Sequence, residues 1–560
     1  MPKTIEQIKT EGLALDLRGV TGGGFGEIEA DDFYRLKTFG LCSPRKDEQD
    51  FMVRIRVPGG AATAAQVDRV AELADRYARG WVHLSTRQNF ELHMVRAEDG
   101  PAVLEELERC GLTARSACGD TIRNIAACEC SGFCQTQCVD VRPWTALVAA
   151  HVRAEAEYFD HHLPRKVNVY LADCADCAEE ARLNDVGLVG ALDERGRPGF
   201  ALWVGGGQGG QHPMLAEQLR TWMPLEDTIP AIRAVLRILI DHGERKMRAR
   251  SKLKFMLRDR GIGWLDEQFT ANLVQERAAW GGLTPNDAIV EWRRAGITAA
   301  LDAADTTSRP SPSAFEGEHL PHGAAAMPRR PGYYRVEIRV PMGEVRAGHL
   351  RAATAASREL SDARVYLTKR QNLELRWVPG DSVEAAVGVL QSHGMRLGDT
   401  GRVVDVAPCV GAEYCPIGLT STQTVAAQLI ERLEEAVPPS SEQLRVNLSA
   451  CPNSCAQHWI SEIGLSGLRL KTGGQVGPGY ELMLGGATGV GARLGQAVGR
   501  VREEHAAAAV EAAMMVFGEA RREAETMGDV VDRLGLDQLG TLIAERLPAG
   551  VLLRAVEVPA

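Results

Sequence analysis

A chain of 560 residues with 64 basic and 74 acidic side chains carries a formal charge of −10, which argues against a general nucleic-acid binder. Its 45% hydrophobic and 25% charged residues are ordinary for a globular protein, and no stretch approaches the roughly 18 apolar residues of a membrane span. The opening MPKTIEQIKTEGLALDLRG has no continuous apolar segment of the kind that starts a secretion signal. These features read as a cytoplasmic protein of several domains with no membrane or nucleic-acid partner. Its 13 cysteines read as thiols and metal ligands rather than a disulfide framework.

Residues 1–50 read as an N-terminal wrapping arm with a glycine turn at Gly22-Gly23-Gly24. FMVRIRVPGG (51–60) then alternates as a strand, AATAAQVDRVAELADRY (61–77) has helical periodicity, and HLSTRQNFELHMV (83–95) is another strand. Both strands return as YYRVEIRVPMG (333–343) and VYLTKRQNLELRWV (365–378), with Arg56 matching Arg339 and Arg87 matching Arg370 at one offset of 283. KVNVYLADCADCAEEARLNDVGLVG (166–190) likewise parallels RVNLSACPNSCAQHWISEIGLSG (445–467), and GFALWVGGG (199–207) parallels GYELMLGGA (479–487). A period of half the chain means two copies of one unit rather than a solenoid. The expected fold class is α+β, with two pseudo-symmetric halves, each a small α+β module followed by a larger α/β module. The expected boundaries are arm 1–50, small module 51–114, larger module 115–304, a Pro/Ser/Gly-rich linker 305–332, small module 333–400 and larger module 401–560.

Cysteine spacing carries the chemistry. Cys409 and Cys415 enclose five residues, Cys451 and Cys455 enclose three, and Pro416 and Pro452 stiffen the loops beside them. Two such pairs can meet as a set of four soft thiolates suited to iron–sulfur or zinc. The repeat returns the pattern at Cys128, Cys134, Cys174 and Cys177, with Cys130 and Cys138 nearby, although the second pair is one residue shorter. That recurrence raises a second iron–sulfur cluster, against a structural zinc or buried relict thiols. Cys118, five residues before Arg123, reads as a core cysteine or a reactive thiol.

The motif Cys-x-x-x-x-x-Cys followed about forty residues later by Cys-Pro-Asn-Ser-Cys resembles the signature of the sirohaem-dependent sulfite and nitrite reductases. The resemblance covers nearly the whole chain and implies two ferredoxin-like half-domains and a cofactor cleft between the halves. It implies that Cys409, Cys415, Cys451 and Cys455 hold a 4Fe-4S cluster, with Cys455 also bridging to the sirohaem iron. Three further segments resemble the family's cationic motifs: Thr86-Arg87-Gln88-Asn89, Gly119-Asp120-Thr121-Ile122-Arg123-Asn124 and Leu163-Pro164-Arg165-Lys166-Val167-Asn168. By that resemblance Arg87, Arg123 and Lys166 bind substrate and deliver protons, with Asn168 beside them. Arg165 and Lys254, the latter with Lys252 as rival within the basic run 245–254, meet the sirohaem carboxylates.

The implied reaction is six-electron reduction of a small oxyanion, nitrite to ammonia or sulfite to sulfide, with electrons from ferredoxin or a similar one-electron donor. Asn168 is the departure that bears on substrate: sulfite reductases of the family usually carry lysine there and plant-type nitrite reductases asparagine. One fewer cation favours monoanionic nitrite. The rivals are the family's precorrin oxygenase and a non-enzymatic metal-binding protein that kept the fold.

Overall fold

The computed structural model describes residues 3–42, 50–173, 177–210, 212–280, 309–472, 474–488 and 491–554. In the first half, Leu41–Cys42 (β1), Asp50–Arg56 (β2), Ala61–Thr63 (β3), Trp81–Leu84 (β4) and Asn89–Arg96 (β5) precede a second set. That set is Ala126–Ala127 (β6), Val169–Ala172 (β7), Val186–Leu192 (β8), Pro198–Val204 (β9) and Glu217–Pro224 (β10). The second half opens with Ala324–Ala326 (β11), Tyr333–Arg339 (β12), Glu344–Arg346 (β13), Arg364–Leu367 (β14), Leu373–Pro379 (β15) and Arg396–Leu397 (β16). It closes with Ala407–Pro408 (β17), Val446–Ser449 (β18), Ile463–Thr472 (β19), Gln475–Leu484 (β20), Gln496–Arg502 (β21) and Leu553–Arg554 (β22).

The two small modules exchange strands. One sheet runs β1-β2-β5-β4-β13 and the other β11-β12-β15-β14-β3, so each ends on a strand from the opposite half. β3 pairs with β14 through Ala62 opposite Val365, and β13 pairs with β4 through Val345 opposite Val82. The helices that follow the exchanged strands, Ala64–Tyr77 and Ala347–Leu360, pack on each other. Both present alanines to the shared core, Ala71 and Ala74 from one and Ala353 and Ala356 from the other. Small side chains let the helix axes approach, which is how two modules close over one core.

The pseudo-twofold reaches individual bonds. Gln88 Nε2 donates to Leu367 O at 3.3 Å and Gln371 Nε2 to Leu84 O at 2.9 Å. Both glutamines take the left-handed backbone, φ 56° and 64°. At Gly60 a Cβ would stand 2.2 Å from Leu367 O, and at Gly343 2.9 Å from Leu84 O, so each turn needs glycine for close approach. These constraints explain why the repeat stays readable at an offset of 283.

Each larger module is a mixed sheet covered by helices. β6, β7 and β8 are parallel and β9 and β10 antiparallel, just as β17, β18 and β19 are parallel before β20 and β21 turn back. Cys128 and Cys409 stand at the carboxyl ends of β6 and β17, the edge where such sheets place ligands. The arm lies against the first half: Lys9 Nζ donates to Leu163 O at 2.5 Å, and Ile8, Leu13 and Tyr34 form a small apolar cluster. Part of the linker, 305–308, lies outside the described residues.

One expectation is corrected here. Cys118 is neither a free thiol nor an isolated core cysteine, because it forms a disulfide with Cys42 at the end of β1. The segment 38–42 runs beside 114–118: Ser116 N donates to Thr38 O at 2.7 Å, and Gly40 packs on Ala114 where a Cβ would fall 2.2 Å from the carbonyl. The two cysteines are brought together by that contact across a separation of 76 residues.

Candidate active site

The quartet of the second half is gathered by the parallel strands. Cys409 follows β17, Cys415 ends the turn Gly411–Tyr414, and Cys451 and Cys455 lie in the loop after β18. Cys409 N donates to Leu448 O at 2.9 Å, and its Sγ accepts from Ala450 N at 3.2 Å. Burial, with the Cys455 charge as the next cause, pushes the Cys409 thiol up to about 12 and Cys451 up to about 11. A bound metal ion favours the thiolate over the thiol, so the Cys409 and Cys451 sulfurs, held by these loops, fit a metal centre. An all-cysteine donor set suits iron–sulfur chemistry.

Cys455 is exposed, and what it faces is a cavity of about 730 Å³ between the halves. Three contacts seat its loop there: Thr86 Oγ1 donates to Cys455 O at 2.6 Å, Gly210 N to Pro452 O at 2.8 Å, and Ser454 Oγ to Gln208 Oε1 at 3.4 Å. Arg87, Arg165, Lys166, Arg248, Arg250, Lys252, Lys254 and Arg258 line the wall, and among the described residues no carboxylate does. Eight basic side chains on a wall that itself presents no carboxylate to the cavity make a site for a polyanion. Burial, then the neighbouring Arg54 and Arg165, depresses Arg123 to about 9, and its Nε is buried with no hydrogen-bond partner. Burial, then Arg123 and Lys252, holds Lys166 well below the ordinary lysine range. Both observations mark a pocket short of negative charge.

Two buried carboxylates behind the wall fix the cations. Asp120 takes Arg248 through both oxygens at 2.5 and 2.7 Å, with Arg165 at 3.5 Å and Lys9 at 3.7 Å, and accepts from Tyr34 Oη at 3.3 Å. Asp185 takes Lys252 Nζ at 3.0 and 3.2 Å and accepts from Asn168 N and Nδ2 at 2.9 and 3.0 Å.

The family model for the nitrite and sulphite reductase 4Fe-4S domain matches residues 118–277 and 400–550, and that for the nitrite/sulfite reductase ferredoxin-like half domain matches 43–110 and 327–393. The chain belongs to the nitrite and sulphite reductase family. It is therefore an oxidoreductase, and its class of reaction is the reduction of nitrite or sulfite. It is 28% identical over 497 residues to the assimilatory ferredoxin-dependent nitrite reductase of Haloferax mediterranei, covering 85% of this chain and 81% of that protein. It is 27% identical over 511 residues to sulfite reductase [ferredoxin] 2 of Mycolicibacterium paratuberculosis, covering 86% of each. The solved NirA protein of Mycobacterium tuberculosis superposes with a TM-score of 0.77 at 25% identity, covering 95% of this chain and 96% of NirA. The two-half fold read from the repeat is that of these reductases.

Within this reductase, the structure brings Arg87, Arg165, Lys166, Asn168, Lys254 and Cys455 to one cavity. Arg123 stands just behind, its guanidinium held by Gly119 O at 3.0 Å and by Ala117 O. Arg87 Nη1 donates to the neutral Asn184 Oδ1 at 3.0 Å and keeps its charge for the cavity. Lys254 lines the same wall, and its Nζ donates to the carbonyls of Gly207, Gly209 and His212 at 3.4, 2.7 and 2.5 Å, which shapes the loop that meets the cysteine segment. In the first half, Cys128, Cys130 and Cys177 draw together; Cys134 is outside that group and Cys174 lies outside the described residues.

Arg54 on β2 was missed by the sequence reading. It pairs with Glu91 directly opposite on β5 at 2.7 Å and donates to Cys118 Sγ at 3.2 Å, and the charges of Cys455 and Cys415 act on it. The available signal was a pair of opposite charges on facing positions of otherwise apolar strands. Asp120 and Asp185 were missed as organisers because a carboxylate in a cationic motif does not show by itself which cations it holds.

Proposed function

We propose that this chain catalyses the six-electron reduction of nitrite to ammonia at a coupled sirohaem and 4Fe-4S centre, with ferredoxin as electron donor. The observation that carries the reading is the eight-cation wall against which Cys455 is seated. Sirohaem has eight carboxylates, and Arg165, Arg248, Arg250, Lys252 and Arg258 are the residues that would hold them. Cys409, Cys415, Cys451 and Cys455 would hold the cluster. When bound, the pair supplies one-electron transfer and an iron that ligates the substrate. The chain's own residues do the rest: Arg87 and Arg123 orient the oxyanion through charge-assisted hydrogen bonds. Lys166, with its proton loosened by burial, gives that proton at Nζ to oxygen as the N–O bond breaks and regains it through solvent. That the Haloferax relative is a ferredoxin-dependent nitrite reductase and the Mycolicibacterium relative a sulfite reductase [ferredoxin] supports ferredoxin as donor.

Asn168 supports nitrite over sulfite. Its amide is spent on Asp185, whose charge Lys252 already balances, so the position adds no cation beside Lys166. The test is kcat/KM for both anions with one chemically reduced low-potential donor and the purified holoenzyme. A clear preference for nitrite is expected. A clear preference for sulfite assigns sulfide production, and activity with neither returns the precorrin oxygenase reading.

A further inference from the structure

We propose that Cys128, Cys130 and Cys177 form a second, separate metal site in the first half, one that takes a single soft divalent ion of the Zn²⁺ class. Their sulfurs all lie within 4.8 Å of one another, with Cys130 and Cys177 at 3.3 Å. Sulfurs on one tetrahedral zinc, each about 2.3 Å from the metal, stand about 3.8 Å apart. A four-iron cube would stand between its ligands and spread them. No three of the cluster-type quartet at Cys409, Cys415, Cys451 and Cys455 approach so closely among the described residues. The compact group therefore matches a mononuclear ion, and the wider one a cluster.

The site is built to the same plan as a ligand position of the other half. Cys128 N donates to Leu171 O at 3.0 Å and its Sγ accepts from Asp173 N at 3.2 Å. Cys409 has the same two bonds, with Leu448 O at 2.9 Å and Ala450 N at 3.2 Å. An N–H aimed at sulfur favours thiolate. Where the second half has Ala450 the first has Asp173, and that buried carboxylate accepts from Ser131 Oγ at 2.9 Å, Gly132 N at 3.0 Å and Val141 N at 3.1 Å. It fastens the loop bearing Cys130 against β7. Cys130 falls two residues after Cys128, where the second half has Gly411 after Cys409, and this substitution is what narrows the site. A d¹⁰ ion there undergoes no redox change, so its role is to pin the loop after β6 to the segment at Cys177.

The test is the metal content of the holoenzyme purified from zinc-replete medium, with X-ray absorption at the zinc edge. About one zinc per chain with sulfur neighbours near 2.3 Å is expected, together with about five iron. Cys130→Ser and Cys177→Ser should each lose the zinc and keep the sirohaem and cluster absorption, because those groups sit on other residues. Should either variant fail to fold, Co²⁺ uptake by the reduced wild-type chain replaces it, with thiolate-to-cobalt charge-transfer bands as the expected result. Iron near nine per chain would mean a second cluster and overturn the proposal. A Cys130–Cys177 disulfide in the isolated protein, or uptake of neither zinc nor cobalt, would overturn it too.

Discussion

Asp120→Asn tests whether one buried carboxylate organises the cationic wall. The side chain is fully buried and serves Arg248, Arg165 and Lys9 at once. Removing one partner of a buried ion pair costs about 3–5 kcal/mol, since the remaining charge stays desolvated and unpaired. Arg248 is 42% exposed and recovers part of its hydration, whereas Lys9 is 3% exposed and does not. These two facts place the expected loss near the low end, about 3 kcal/mol.

The pH dependence supplies an internal control. Asp120 is held below the ordinary carboxylate value: burial opposes this, but Arg248, Lys9 and Arg165 outweigh it. Its contribution is therefore fully present above the unfolded value of about 3.9 and is lost as pH falls through the lower folded value. Denaturant unfolding of the wild type and variant should show a constant gap from pH 8 down to about 5, closing only below about 4. Because Lys9 anchors the arm, proteases should cut the variant faster within residues 3–38. A gap under about 1 kcal/mol, or one that closes between pH 8 and 5, would refute the reasoning.

Asn168→Lys should raise the sulfite-to-nitrite ratio of kcat/KM by about tenfold, roughly the 1.4 kcal/mol that one added, partly compensated charge supplies; an unchanged ratio would remove Asn168 as a determinant. Arg54→Gln should lower kcat/KM by about 10²-fold with cofactor content retained, and wild-type kinetics would return Arg54 to a structural pair with Glu91. Reduction of Cys42–Cys118, or Cys42→Ala with Cys118→Ala, should lower stability by up to about 4 kcal/mol on the chain-entropy account of a loop of this length, read as a midpoint shift after alkylation confirms the pairing. Burial and the nearby Arg233 depress His151 to about 3, so the folded state resists its protonation and stability falls as pH drops below the unfolded value near 6.5. His151→Leu should accordingly remove about 2 kcal/mol of the stability difference between pH 7.5 and pH 5.

What could be read from the sequence follows from where constraint acts on residue type. The offset of 283 persists because the turns at Gly60 and Gly343 leave no room for a Cβ and because Gln88 and Gln371 each cross to the other half. The C-terminal quartet showed because four cysteines at short, fixed spacings beside Pro416 and Pro452 stand out in any sequence. The strand exchange did not show: β3 and β13 have three residues each, too few to carry a period. Arg54 did not show, and its neighbour on the same strand face, Arg56, which marks the repeat, has a guanidinium that supports the carbonyls of Arg115 and Arg123 at 3.3 and 3.2 Å. Telling the two apart requires knowing that Glu91 lies opposite Arg54 and that Cys455 arrives from the other half.

A duplicated scaffold need not yield two equal centres, and here charge separates the halves. Arg87 and Arg370 occupy equivalent turns, yet Arg370 is clamped by Asp405 through its side chain at 3.0 Å and its carbonyl at 2.8 Å, while Asn372 donates to the same carboxylate. In the first half the comparable contact to the turn comes from the neutral Asn124, whose Nδ2 donates to Arg87 O at 3.0 Å. One arginine is thus neutralised by its own half and the other keeps its charge for an anion. All eight cations of the cavity wall come from the first half, while Cys455 and its loop come from the second. Neither half holds both parts, so the chemistry depends on their registration. The crossing bonds from Gln88 to Leu367 and from Gln371 to Leu84, set in glycine turns that admit no slack, are the contacts that hold that registration.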